Sequence, residues 1–555
     1  MLHSEFMLSQ RPNVANARAA RNWIKELPLT DARAAHHAIE TLLAEFEENG
    51  LAARDRLEIL ETVRPHRIQI DTQYAQRYAG KPLPLGATER TAYGHASSLW
   101  QKLEEAYWYC ARAAAAGEPD LRPHLTLCLV RAADLAAERL KGALRAGQAL
   151  DGTIQTSLAR YATFAREQGV LTTPAPDSEH PKRVVSVASV QNRALLIALT
   201  GSAVTGRERE SAFELAMQWE AKVVATWLPS DLTRALTRAD LPPSGDPAKQ
   251  RIRILHSGGQ IYFLDVTALS RSLRKRMHLL GLGQGIDEMG LPASFPRSGA
   301  AGLLKRLHGA WCEEEYGRRH PRTALQAAPG VTHSVSVAPA TDNFDAMFCM
   351  LTGEPFMVND DSDVTSRSRF DEMFMFQGAG HARREKHVRE AQRQIEQWRL
   401  VDHSAAGARL ARNNAGARYK PGNLVAFRGT PRGLDTTGQL GEVRWCSENA
   451  PGSTGAKGGA VLEAGIEMLA HAPTGVAIRL TGVNVAGARN WTAAFRAESG
   501  TGTHLLITSA GWYKPGRVVE MRDLRDGKPV ITRWLLGPLK RRGADFELVE
   551  ASPTT

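Results

Sequence analysis

The spacing of apolar residues changes character once along this chain, near residue 320, and that change limits the folds open to it. Before it the pattern is helical. Thr30 or Asp31 is placed to cap a helix with the stripe Ile39, Leu42, Leu43 and Phe46, which ends at Asn49-Gly50. A second stripe, Leu57, Leu60 and Val63, is expected to stop before Pro65, because proline lacks the amide proton a helix interior needs. Leu99, Leu103, Tyr107 and Cys110 form a third, and the alanine-rich run Leu125–Leu150 a fourth. Such faces must bury one another, so residues 15–175 predict an antiparallel helical bundle with these aromatics in its core.

Thr172–Ser178 reads as a linker, rich in threonine and proline. Residues 182–310 are mixed: helical patterns at Glu210–Val224 and Leu303–Cys312 alternate with strand-like Ile252–Leu255 and Gln260–Leu264. Beyond 320, short alternating runs such as Val335–Val337, Val425–Phe427, Val443–Trp445, Ile466–Met468 and Val476–Leu480 predict an antiparallel barrel. Residues 486–550 continue in that style, with Asp526-Gly527 as a hairpin signal. The expected fold is multidomain α+β. It comprises a helical N-terminal region (1–175), a mixed α/β middle (182–315), an antiparallel β-barrel (316–480) and a further β-rich segment (486–555).

The 555 residues carry a formal net charge of +11, which favours anionic partners such as nucleotides or nucleic acid. Five scattered cysteines form no CxxC pair, which argues against a disulfide framework and suits a reducing compartment. No apolar run approaches the ~20 residues of a membrane span. The N-terminal Met1–Phe6 lacks the pattern of a signal peptide, and a cytoplasmic location is expected. The seventeen histidines show no metal-ligand spacing, and His36-His37 reads as a helix surface pair. Gly281–Gly285 lacks dinucleotide-fold spacing and reads as a loop; Asp360–Asp363 reads as a solvated acidic loop. With no phosphate-loop, HExxH or GxSxG motif, the expectation is a binding protein and not an enzyme, with no metal or cofactor.

Two segments carry ligand chemistry. Tyr316–Arg322 sets Arg318 and Arg322 four apart, with Arg319 between them, just before strand texture. Guanidinium forks match phosphate oxygens, and their flat faces stack on bases. Asp402-x-Ser404-x-x-Gly407 follows a strand-like run and reads as a tight turn. Arg389 and Arg393 repeat the arginine spacing inside a charged helical stretch, and are the rival pair.

Arg-Arg-His-Pro-Arg, the Asp-x-Ser-x-x-Gly turn, Leu440–Trp445 and Ala464–Met468 together resemble the PilZ domain family. The resemblance implies a six-stranded barrel that binds cyclic di-GMP. It assigns the ligand to Arg318, Arg322, Asp402, Ser404 and Gly407, with Arg319 as an extra contact. Arg322 and Asp402 stand much further apart than in that family, which implies an insertion at about 341–395. The function so implied is a bacterial signalling effector that relays the dinucleotide to an unidentified protein partner. Two rivals stand beside it. One is a PilZ-like barrel that has lost its ligand and serves as an interaction module. The other is a single-strand nucleic-acid-binding barrel, for which Trp445, Trp512, Tyr513 and Trp534 are available but read mostly as core.

Overall fold

The computed structural model describes residues 16–48, 50–150, 152–180, 182–201, 204, 206–229, 251–257, 259–297, 299–313, 323–324, 334–340, 344–356, 377–404, 406–413, 415–429, 438–449, 461–481, 491–498, 502–525 and 528–554. They form two compact units, residues 1–81 with 85–317, and 82–84 with 318–555.

The first unit is built on α1 (Ala17–Ile24), α2 (Ala32–Glu48), α3 (Ala53–Tyr78), α4 (Ala87–Ala115), α5 (Leu125–Arg145), α6 (Gly152–Glu167), α7 (Val187–Thr200), α8 (Gly206–Trp219), α9 (Thr267–Gly281) and α10 (Ala300–Cys312). The predicted stripes are its core: Leu99, Leu103, Tyr107 and Cys110 are buried. Asp31 caps α2, its carboxylate accepting from the amides of Arg33 and Ala34. Helix α3 does not stop at Pro65. It runs on to Tyr78, because burial of Ile70, Tyr74 and Tyr78 on its second half outweighs the one hydrogen bond proline forfeits. His36 is not a surface residue. It is buried, with Nδ1 3.1 Å from the Tyr74 hydroxyl and Nε2 3.2 Å from Glu40.

Helices α4 and α5 approach closely where Gly142 faces Trp100; a Cβ there would lie 2.3 Å from the indole. The expected linker is also ordered. Its β1 (Ala175–Pro176) pairs with β2 (Val184–Val185), Asp177 and Ser178 are buried, and the Ser178 hydroxyl donates to Asp134. A small sheet completes the unit, with β5 (Gln260–Asp265) between β3 (Val224–Pro229) and β4 (Ile252–Ser257). Gly281 ends α9, and residues 282–285 follow it outside any helix or strand.

The second unit holds two antiparallel barrels. The first comprises β7 (Ser334–Pro339), β8 (Glu396–Ser404), β9 (Gly407–Asn413), β10 (Leu424–Gly429), β11 (Gln439–Asn449) and β12 (Val461–His471), preceded in the chain by β6 (Thr323–Ala324). Pairing runs β7-β8-β9-β12-β11-β10 and returns to β7, while β6 lies along the far end of β8. The second barrel closes in the order β13 (Thr474–Leu480), β14 (Thr492–Glu498), β15 (His504–Ser509), β18 (Phe546–Pro553), β17 (Lys528–Arg542) and β16 (Val518–Arg525). Val476–Leu480 thus belongs to the second barrel's sheet, where it joins β14 to β16. Asp526 and Gly527 lie outside the described residues, between strands that pair Arg525 with Lys528.

Within the expected insertion, α11 (Asp345–Thr352) is a wedge between the barrels. Phe344, Ala346, Met347 and Met350 share one core with Leu424 and Leu440 of the first barrel and Phe495 and Ile507 of the second. Phe344 holds a left-handed backbone (φ 61°) while fully buried, with its ring stacked on Phe495 at 5.8 Å. Gly475 leaves room for this helix, since a Cβ would lie 2.7 Å from Phe348.

A second joint is polar. The Asp545 carboxylate accepts from the Leu424 amide at 2.8 Å and from the Asn423 side chain at 2.7 Å. Burial pushes its pKa up from 3.8 to about 6. A raised carboxyl pKa means the folded state binds the proton more tightly than the unfolded one. The stability it adds is therefore full below pH 3.8 and lost as pH rises through about 6. We predict that urea unfolding of the full chain will show wild type gaining on Asp545→Asn by ~2 kcal/mol as pH falls from about 7 to 4. A difference independent of pH would contradict this.

Candidate functional site

The Asp-x-Ser-x-x-Gly segment is the β8–β9 hairpin. Ser404 pairs with Gly407 across it, and the Ser404 hydroxyl accepts from the Ala406 amide at 3.3 Å. The Ala406 carbonyl in turn accepts from the Met468 amide at 2.8 Å. Gly407 is required by crowding: a Cβ would stand 2.0 Å from the Ile466 carbonyl oxygen on β12. A register shift between Leu400 and Asp402 resets the alternation, so that Leu400 is buried while Asp402 and Ser404, two apart, share one face.

Register then assembles a cross-strand row. Asp402 pairs with Arg409 on β9, Arg409 with Gly465 on β12, and Gly465 with Trp445 on β11. On the other side, Asp402 pairs with Ala324 of β6. Gly465 is what lets the row function as a surface: the Trp445 indole lies over it, and a Cβ would fall 2.1 Å from the indole nitrogen. The Arg409 guanidinium sits 6.0 Å from the Trp445 ring, 4.0 Å from the Asp402 carboxylate and 2.6 Å from Glu463. Arg409 is 37% exposed, and its Nε makes no hydrogen bond. A half-buried guanidinium beside an indole can stack a base and meet a phosphate, and the neighbouring carboxylate can accept from a purine edge.

The chain that follows the arginine segment borders this row. Arg318, Arg319 and Arg322 lie outside the described residues, but Thr323, bonded directly to Arg322, pairs with His403, between Asp402 and Ser404. The rival Arg389 is on α12 (Gln377–Arg393), where it is exposed and ion-paired to Glu385 at 2.8 Å; Arg393 is exposed too. Asp360–Asp363 also lies outside the described residues. Among the described residues no cluster of metal-ligating side chains occurs, and no helix is long and apolar enough to cross a membrane.

Arg409, Glu463 and Trp445 were not singled out for this site from sequence. Arg409 stands two residues beyond Gly407, and period-two alternation puts it on the same face. Trp445, expected mostly as core, is half-buried at the surface of the row. Next to the row, Glu467 pairs in the backbone with Gly407 and accepts from Arg541 of the second barrel at 3.1 Å. Arg541 also donates to Glu442 at 2.9 Å, so the hairpin's neighbours are tied across the barrel joint.

No curated protein and no solved structure matches the chain. Residues 18–230, in the helical unit, are similar to the family described as the N-terminal domain of the cyclic-di-GMP receptor FimW.

Proposed function

We propose that this chain is a cyclic-di-GMP receptor whose first barrel takes the dinucleotide between the Arg318–Arg322 arm and the Asp402–Gly407 hairpin. The observation that carries the reading is the pairing of Thr323 with His403, which brings the chain directly after Arg322 onto the strand bearing Asp402 and Ser404. The similarity of residues 18–230 to a cyclic-di-GMP receptor domain supports the ligand from a separate part of the chain. In this reading the arm's guanidinium groups meet the phosphates, Asp402 accepts from a guanine edge, and Arg409 with Trp445 offers a stacking surface. The role is sensing. Engagement of the hairpin alters the Glu467–Arg541 contact, and the second barrel passes the change to a protein partner.

The test is isothermal titration of the full chain with cyclic di-GMP. Saturable binding at micromolar or tighter affinity, with quenching of tryptophan fluorescence, is the expected result. No saturable heat into the high micromolar range would overturn the proposal. Strong binding of single-stranded nucleic acid with steep salt dependence would favour the nucleic-acid barrel instead.

A further inference from the structure

The helical unit has a groove of about 330 Å³ with an aromatic and basic wall. Small-molecule sites typically measure about 300–1,000 Å³. Trp108 of α4 forms one side. Thr156, Arg160, Thr163, Phe164 and Glu167 of α6 form another, and Gln260 of β5 closes it. These α6 positions recur at helical spacing, alongside the core face made by Ile154, Leu158, Tyr161 and Ala165.

The chemistry converges. Trp108 and Phe164 meet edge to face at 5.0 Å. The Arg160 guanidinium is 5.1 Å from the Trp108 ring, and that of Arg112 is 6.0 Å from it. Aromatic rings and guanidinium planes are the surfaces on which bases stack, and free guanidinium donors meet phosphate. The groove also supplies acceptors. Gln260 donates to Thr163 at 3.0 Å, while its carbonyl oxygen is buried with no hydrogen bond. Glu167 presents an exposed carboxylate. Guanine is the base whose pairing edge offers two adjacent donor groups to such acceptors. The larger cavity of this unit, about 540 Å³, is a weaker candidate, because its carboxylates Asp134, Glu138 and Glu210 already pair with Arg193, Lys141 and Arg145.

We propose that this groove is a second contact site for a guanine nucleotide, so that the helical unit binds cyclic di-GMP independently of the barrel. The inference rests on the reading of the chain as a cyclic-di-GMP receptor. It gives a binding role to the segment that is similar to a receptor domain yet contains none of the barrel's motifs.

The experiment uses the full chain carrying Arg322→Ala, which disables the barrel arm. Cyclic di-GMP is expected still to quench tryptophan fluorescence saturably in that variant. Adding Arg160→Glu, an exposed substitution that leaves the helical circular dichroism intact, should weaken the remaining binding at least tenfold. Guanosine monophosphate should compete at least tenfold better than adenosine monophosphate. The inference is overturned, with the barrel reading intact, if wild type binds while Arg322→Ala abolishes all saturable binding. It is equally overturned if Arg160→Glu leaves the residual binding unchanged. Wild type that binds no cyclic di-GMP overturns both readings together.

Discussion

Arg322→Ala is expected to weaken cyclic-di-GMP binding to the barrel by at least a hundredfold, while Arg389→Ala changes it by less than twofold. A guanidinium gripping a phosphate makes two charge-assisted hydrogen bonds, each worth ~1.5–3 kcal/mol. Losing ~3 kcal/mol or more corresponds to roughly two powers of ten in affinity. Titration calorimetry of the three proteins measures the losses directly. Arg322 directly precedes Thr323, which is paired to the hairpin strand; Arg389 spends its charge on Glu385 at an exposed helix surface. Arg389→Ala should melt like wild type, since Arg389 is an exposed helix residue. Loss of binding on Arg389→Ala, with Arg322→Ala neutral, would move the ligand to α12.

The features legible in sequence are those set by local spacing. Leu99, Leu103, Tyr107 and Cys110 recur at helical intervals and are buried in α4. Asp402 and Ser404 sit on a strand, with Gly407 opening the next, as the turn chemistry implied. What escaped depends on partners distant in the chain. Pro65 reads locally as a stop, because the burial of Tyr74 and Tyr78 that sustains α3 comes from other helices. Likewise, Val476–Leu480 carries an alternation that fits any sheet, and only its pairing with β16 assigns it to the second barrel. The row of Asp402, Arg409, Gly465 and Trp445 spans four strands, so its register cannot be read from any one of them. His36 looked like half of a polar pair, yet a tyrosine on α3 and a glutamate one turn along receive it in the core.

Gly407 separates binding from folding. The expectation from sequence places this glycine at the ligand, but the crowding around it is structural. Gly407→Ala would put a methyl group 2.0 Å from the Ile466 carbonyl oxygen, far inside contact distance, and the crowding atoms of Ile466 and Glu467 are backbone that cannot swing away. Strand β9 must therefore move off β12, giving up the Gly407–Glu467 register and the Met468-to-Ala406 hydrogen bond. Overpacking costs ~1–3 kcal/mol and the lost hydrogen bond ~1 kcal/mol, so a total of ~2–4 kcal/mol follows. For a unit of this size that lowers the melting temperature by roughly 10 °C. Calorimetric melting should show this loss in the barrel transition, accompanied by loss of ligand. Ser404→Ala removes only a long 3.3 Å turn contact and should melt within a few degrees of wild type. A Gly407→Ala chain that melts like wild type but binds no dinucleotide would reverse the assignment, making the glycine a ligand contact. Loss of stability and binding together identifies it as the residue that holds the hairpin against β12, and so sets where Asp402 and Ser404 meet the arm.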